Sequence, residues 1–235
     1  MRLKFACFVT GTDTGVGKSL ISSALLHRLS QAGLKTVGMK PLAAGAEMRD
    51  GVLYNEDVAQ LEAASSLSVA RELVVPYLLR EPAAPHIAAA LERIMIEPQR
   101  LLTAYAHIAA QAEAVVVEGV GGFRVPLTDD FDTADLAEKL QLDVILVVGL
   151  RLGCLNHALL TAEAIAARGL RLAGWVANQI DPAMTHQQEN IDALRARLSA
   201  PLLGVVPYMA QAAAAAAAPY LDFGWTGVVP AEARP

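Results

Sequence analysis

Cysteine is nearly missing from this 235-residue chain, where Cys7 and Cys154 stand far apart. Neither sits in a C-x-x-C pair, which argues against a zinc site of that kind and against a disulfide framework. Aromatic residues make up only 5% of the chain, so aliphatic side chains and alanine must fill its interior. No basic block occurs, and 19 Lys plus Arg against 24 Asp plus Glu leave a net charge of −5. A phosphate-backbone footprint is therefore missing, and nucleic acid is discounted as a partner. That acidity still allows a small anionic ligand, because a nest of backbone N–H groups binds anions locally. Long apolar runs are lacking too: the most apolar segment, Val144 to Leu150, is far too short to span a bilayer. The start, Met1-Arg2-Leu3-Lys4, runs into a strand-like stretch without the apolar region and cleavage site of a secretory leader. No membrane partner is expected, and the cytoplasm is the expected compartment.

What is present is an alternation of short β-branched runs and longer amphipathic stretches. With 54% apolar and 18% charged residues, the chain has ample material for a core. The pattern predicts strands at Phe5 to Val9, Lys35 to Met39, Ala114 to Val117, Val144 to Val148, Leu172 to Ala177 and Leu202 to Val206. Helices are expected over Ser19 to Ala32 with a stop at Gly33, near 55–67, 84–93 and 98–112, over Asn156 to Arg168, and near 185–198. Strand-then-helix repetition points to an α/β fold with a mostly parallel central sheet and helices on both faces. One domain over 1–223 is the economical reading, with a weakly ordered tail over 224–235. Ala212 to Ala218 is a run of seven alanines, favourable to helix by propensity but without an amphipathic face.

The strongest local signal lies between the first strand and first helix: Thr10-Gly11-Thr12-Asp13-Thr14-Gly15-Val16-Gly17-Lys18-Ser19. The usual phosphate-loop pattern is G-x-x-x-x-G-K-[ST]. Here its first position is Thr12, and the glycine stands one residue earlier at Gly11. Gly15 and Gly17 let backbone N–H groups turn toward phosphates at a positive helix terminus, and Lys18 can reach β and γ oxygens. The Ser19 hydroxyl can ligate Mg²⁺. A second element, Val115-Val116-Val117-Glu118-Gly119-Val120-Gly121-Gly122, puts an acid at the end of a buried strand. Ligands of open α/β sheets bind at that edge, so Glu118 is placed to meet the metal, and its glycines permit close backbone approach. The fold expected from these two elements is of the P-loop NTPase type.

Taken together, several words resemble the dethiobiotin synthetase family. They are Val9-Thr10-Gly11-Thr12-Asp13-Thr14, Gly17-Lys18-Ser19, Met39-Lys40-Pro41, Glu118-Gly119-Val120-Gly121-Gly122, Leu152-Gly153-Cys154-Leu155-Asn156-His157, Gly174-Trp175-Val176-Ala177-Asn178 and Pro201-Leu202-Leu203-Gly204-Val205-Val206-Pro207. They fall in order across residues 5–208. The resemblance implies an active homodimer and an ATP- and Mg²⁺-dependent ring closure. In it 7,8-diaminononanoate, CO₂ and ATP give dethiobiotin, ADP and phosphate, through a carbamate and its phosphoric anhydride. It also implies a nucleotide site built from Thr14, Gly15, Val16, Gly17, Lys18, Ser19 and Leu20 with Asp57, Glu118, Gly119 and Gly121.

Further roles follow from the same likeness. Lys40 matches the family's active-site lysine, although sequence physics alone reads it as an ordinary exposed lysine. Asp57 matches an aspartate near Mg²⁺, giving a ligand set of Ser19, Asp57 and Glu118. Glu56 is a rival, and Asp57 taken alone is a helix-start acid. Gly153, Cys154 and Asn156 open a helix, and the resemblance makes this turn the seat of the substrate carboxylate, donated across the dimer interface. Thr14, Lys40, Ala44, Gly121 and Asn190 complete the expected substrate contacts. Asn178 stands in Asn178-Gln179-Ile180-Asp181, which is similar to the guanine-reading word of GTPases. In the family that asparagine reads adenine instead, with Pro207, Tyr208 and Met209 bordering the base. His86, after Pro85, fits capping or packing as well as contact with substrate.

The chain also departs from the pattern. Ala44 replaces a frequent Ser or Thr, Gly15 stands where some members carry Glu, and Asn190 where some carry Tyr. Two rivals share the superfamily. A cobyrinate-type amidotransferase would need a glutaminase domain, for which this length leaves no room. A partitioning or site-selection switch ATPase would carry a second lysine early in the loop, where this chain has Gly11-Thr12-Asp13.

Overall fold

The computed structural model describes residues 2–222 and 224–227. From the amino end come β1 (Phe5–Gly11), α1 (Lys18–Gln31), β2 (Thr36–Met39) and the two-residue β3 (Leu42–Ala43). A hairpin of β4 (Glu47–Arg49) and β5 (Val52–Tyr54) leads to α2 (Glu56–Ala64), α3 (Arg71–Val74), β6 (Tyr77–Leu78), α4 (Pro85–Leu91) and α5 (Pro98–Gln111). The second half runs β7 (Ala114–Glu118), α6 (Thr133–Leu140), β8 (Asp143–Leu150), α7 (Cys154–Ala167) and β9 (Leu172–Gln179). It continues through α8 (Gln187–Arg195), β10 (Leu202–Val206) and the four-residue α9 (Ala214–Ala217).

Six strands form one sheet in the order β10-β9-β8-β1-β7-β2, with every neighbouring pair parallel. Such a sheet needs cover on both faces, which is why its inner strands read as continuous apolar runs. In β7, Ala114 and Val116 face a core shared with α1, whereas Val115 and Val117 face a second core with Leu101 and Ile108 of α5. A third core holds Trp175 of β9 against Ala158 of α7 and Leu194 of α8. α1 buries Ile21, Leu25, Leu26 and Leu29, each worth about 2 kcal/mol by leaving water. It ends in a Schellman motif: Gly33 N–H donates to the Ser30 carbonyl, and Leu34 N–H to that of Leu29. The expected stop at Gly33 is thereby met.

All six expected strands and the expected long helices are present, with ends displaced by a few residues. The largest early start is at α7, which begins at Cys154 rather than Asn156 because Gly153 takes the left-handed conformation that caps it. The sequence pattern did not predict β3, β6, α3, the β4–β5 hairpin or α6. The alanine run is only partly helical. Its Ala217 and Ala218 are buried in the core beneath α1, together with Leu203 and Val206 of β10. Next to it, a Cβ on Gly204 would lie 2.0 Å from the Tyr220 carbonyl, so glycine lets this strap close over β10. Of the expected tail, Gly224–Thr226 form a 3-10 turn and 228–235 lie outside the described residues. Among the described residues, no helix is long and apolar enough to cross a membrane.

Candidate active site

The loop after β1 folds against the sheet edge through its apolar residue. Val16 is fully buried. A Cβ on Gly11 would lie 2.6 Å from the Val16 side chain, so the displaced loop glycine makes room for that residue. Gly17 caps α1 at φ 89, in the left-handed region. A Cβ there would meet the Asn178 amide nitrogen at 2.1 Å. That amide, at the end of β9, donates to the Val16 carbonyl at 2.9 Å. Asn178 therefore braces the loop that it was expected to complement at the base.

Lys18 opens α1 and folds back so that its Nζ donates to the Asp13 carbonyl at 3.0 Å. Burial, and then the nearby Lys40 ammonium, lower its pKa to about 8 against the pull of Glu118, Asp57 and Asp13. Burial thus disfavours the charged form of Lys18, and phosphate oxygens beside it would favour that form.

Beside it, four side chains meet from separate parts of the chain: Ser19, Lys40, Asp57 and Glu118. The Ser19 hydroxyl lies 2.7 Å from Asp57 Oδ1 and 2.8 Å from Glu118 Oε1, and can donate its proton to either. Lys40 donates to Glu118 Oε1 at 2.5 Å and to the Gly119 carbonyl at 3.1 Å, and pairs with Asp57 Oδ2 at 3.2 Å. The Lys40 and Glu118 side chains are 2% and 0% exposed. Burial pulls Lys40 down, but the Glu118 and Asp57 carboxylates outweigh it and hold its pKa above the ordinary lysine value. Burial likewise pushes Asp57 up, yet the Lys40 charge and the Ser19 hydroxyl hold it below the ordinary aspartate value.

Glu118 Oε2 is buried with no hydrogen-bond partner. An orphaned carboxylate oxygen next to a hydroxyl and a second carboxylate suits Mg²⁺, which binds through one or two carboxylates and keeps several waters. Among the described residues no group of three or more His, Cys, Asp or Glu could hold a metal. The hydroxyl, water and phosphate oxygens must supply the remaining ligands. Glu56, the rival to Asp57, lines the same cavity but is exposed, and its Oε1 accepts from Gln60 at 3.3 Å.

Lys18, Ser19, Lys40 and Asp57 line a cavity of about 860 Å³ together with Thr14, Gly15, Leu20, Ala44 and Gly121, whereas the fully buried Glu118 is not part of its lining. Its far wall is the segment Pro82 to Pro85, which sequence reasoning did not assign to the site, and Ala212, first of the alanine run that borders nucleotide in the family, reaches its edge. The Pro-Ala-Ala-Pro composition of that wall carries no charge to mark it. His86 follows the wall on α4, with its Nδ1 buried and unpartnered.

The remaining expected residues stand apart from this lining. Gly153 and Asn156 are exposed at the start of α7. The Cys154 side chain is buried, with its Sγ 3.8 Å from Asn190 Oδ1. Pro207, Tyr208 and Met209 follow β10, with Tyr208 half-exposed and Met209 packed on the core beside α1.

A family model described as an AAA domain matches residues 6–216. A protein of Aromatoleum aromaticum named ATP-dependent dethiobiotin synthetase BioD is 59% identical over 88% of this chain and 92% of its own length. Another of the same name, from a Janthinobacterium species, is 57% identical over 95% of this chain and 96% of its own. Among solved structures, the ParA family ATPase of Chlorobium tepidum superposes with a TM-score of 0.53 at 16% identity, covering 88% of this chain and 86% of that one. The septum site-determining protein MinD of Pyrococcus horikoshii, complexed with Mg-ADP, gives 0.53 at 16% identity, covering 87% and 81%. At that identity the likeness speaks to the fold, which is that of P-loop NTPases.

Proposed function

The chain belongs to the dethiobiotin synthetase family, and from that premise we infer that it is an ATP-dependent dethiobiotin synthetase, a carbon–nitrogen ligase of biotin biosynthesis. In this reading one amine of 7,8-diaminononanoate captures CO₂ as a carbamate. The γ-phosphoryl group of ATP passes to a carbamate oxygen, and the second amine attacks the carbonyl carbon, closing the ureido ring and expelling phosphate. Negative charge builds between ATP and carbamate throughout, so the site needs cations and N–H donors already in place.

The observation that carries this reading is that Lys18, at the start of α1, and Lys40, just past β2, line one cavity beside the Asp57 and Glu118 carboxylates. The loop N–H groups and Lys18 hold the β and γ phosphates. Lys40, kept protonated by Glu118 and Asp57, faces the carbamate and the transferring phosphoryl group. Ser19, Asp57 and Glu118 would hold Mg²⁺, which neutralises phosphate charge when bound. Asn178 takes the base as adenine, bordered by Pro207, Tyr208 and Met209. Thr14, Ala44 and Gly121 line the substrate end of the cavity.

Because Gly153, Cys154, Asn156 and Asn190 do not line this cavity, we assign them to the cavity of the partner subunit in a homodimer, where the α7 terminus receives the substrate carboxylate. Leu152, 96% exposed, and Leu160, 56% exposed, sit at and along that helix as apolar surface for such a contact. The enzyme is placed in the cytoplasm. Incubation with diaminononanoate, bicarbonate, Mg²⁺ and ATP, with mass detection, tests the whole: ring-closed product is expected, and its absence with every nucleoside triphosphate would overturn the assignment. A switch ATPase is disfavoured by the absence of a lysine in Gly11-Thr12-Asp13.

A further inference from the structure

We propose that Arg151 is a positioning residue that couples the phosphate loop to the first turn of α7, so that ATP in one subunit and the substrate carboxylate which this turn seats in the partner's cavity strengthen each other's binding. The proposal rests on the reading above that this turn seats the carboxylate. Arg151 stands one residue beyond β8, and its two ends engage two different parts of the molecule. Its carbonyl accepts from Cys154 N–H at 3.0 Å, closing the turn from which α7 starts. Its guanidinium Nη2 pairs with Asp13 Oδ2 in the phosphate loop, 138 residues away in sequence.

Asp13 is itself central to that loop. Its Oδ1 accepts from Thr14 N–H at 2.7 Å, and its carbonyl accepts from Lys18 Nζ. The Thr14 N–H, followed by the Arg151 guanidinium, holds the Asp13 carboxyl below its ordinary pKa, so it is charged when the pair forms. Any shift of the loop when phosphates draw Lys18 from the Asp13 carbonyl therefore reaches Arg151, and through it the α7 turn. The same link runs in reverse, because coupling between two binding sites is reciprocal.

Both side chains of the pair are 41% and 46% exposed, so it adds little to stability and is screened by salt. That separates a positioning role from a structural one. Arg151→Met keeps the stem of the side chain and removes the charge. In the parent protein saturating diaminononanoate should tighten a non-hydrolysable ATP analogue by about tenfold, a usual size for site-to-site coupling. Arg151→Met should abolish that tightening and raise the KM for diaminononanoate at saturating ATP by about the same factor, while the analogue's Kd without diamine stays within a few-fold. The variant's Tm should stay within about 2 °C of the parent, as expected for an exposed pair. Arg151→Lys should restore most of that tightening at low ionic strength and lose it again at high salt. A tightening of the analogue by diaminononanoate that persists in Arg151→Met, or an unchanged diamine KM, would overturn the coupling. Gly153→Ala provides the control: at φ 95 an added Cβ is strained, and the turn is disturbed directly. A raised diamine KM there upholds the carboxylate seat, so that a silent Arg151→Met counts against the link alone. An unchanged KM there removes the seat and the proposal with it.

Discussion

Two lysines divide the work at the level of single residues, and their surroundings predict different losses. In its proposed role Lys18 holds phosphate, so Lys18→Ala should weaken ATP binding by about a hundredfold in titration calorimetry, the scale of two lost charge-assisted contacts. Lys40 is bonded to the carboxylate pair rather than to the loop. Lys40→Met should leave ATP affinity within a few-fold while lowering turnover by about 10² to 10³, as loss of a transition-state charge does. Because it strands Glu118 in the interior, the same variant should also lose about 3 kcal/mol of stability in denaturant titration. The role of Lys40 was not legible from its own neighbours, which make it an ordinary surface lysine. The sheet register decides it: Met39 is paired with Val117, so the next residues, Lys40 and Glu118, come side by side. By contrast Lys18 and Ser19 were readable directly, since a Gly-Lys-Ser word at a strand-to-helix turn has one physical use.

Among the elements, α6 was invisible in the sequence although a capping box starts it. Asp132 accepts from Ala134 and Asp135 N–H, and Asp135 accepts from Asp132 N–H. The helix has only eight residues, and an aspartate fills the position where the box usually shows Glu or Gln. Its amino end is tied to the carboxyl end of α7 by Arg168, which pairs with Asp135, Glu138 and Asp132. Burial opposes the charge on Asp135, but the Arg168 guanidinium and the Asp132 N–H prevail and hold its pKa below 3.8. A depressed carboxylate contributes stability above its unfolded pKa and loses it as pH falls through the folded value. Arg168→Met should therefore cost about 1 kcal/mol at pH 7, and that difference should shrink as pH drops below the unfolded value. Denaturation midpoints of the two proteins at pH 7 and in acid measure it. The two-residue strands β3 and β6 were missed for a simpler reason: no period is readable in two residues.

For the whole molecule, the doubly covered sheet was legible because parallel strands buried on both faces leave unbroken apolar runs such as Val115-Val116-Val117. What could not be read was the division of the expected substrate residues into a set around the cavity and a set at α7, since separation in space is set by packing. In the proposed reading that division makes a dimer part of the chemistry, and light scattering should then give twice the chain mass at concentrations where turnover is seen. The central claim is that ATP gives its γ-phosphoryl group to a carbamate in the Lys18–Lys40 cavity. The most direct measurement is turnover in ¹⁸O-bicarbonate with mass analysis of both products. One labelled oxygen should appear in the released phosphate and one in the ureido carbonyl of dethiobiotin. Label in the ureido group with none in phosphate would contradict the account.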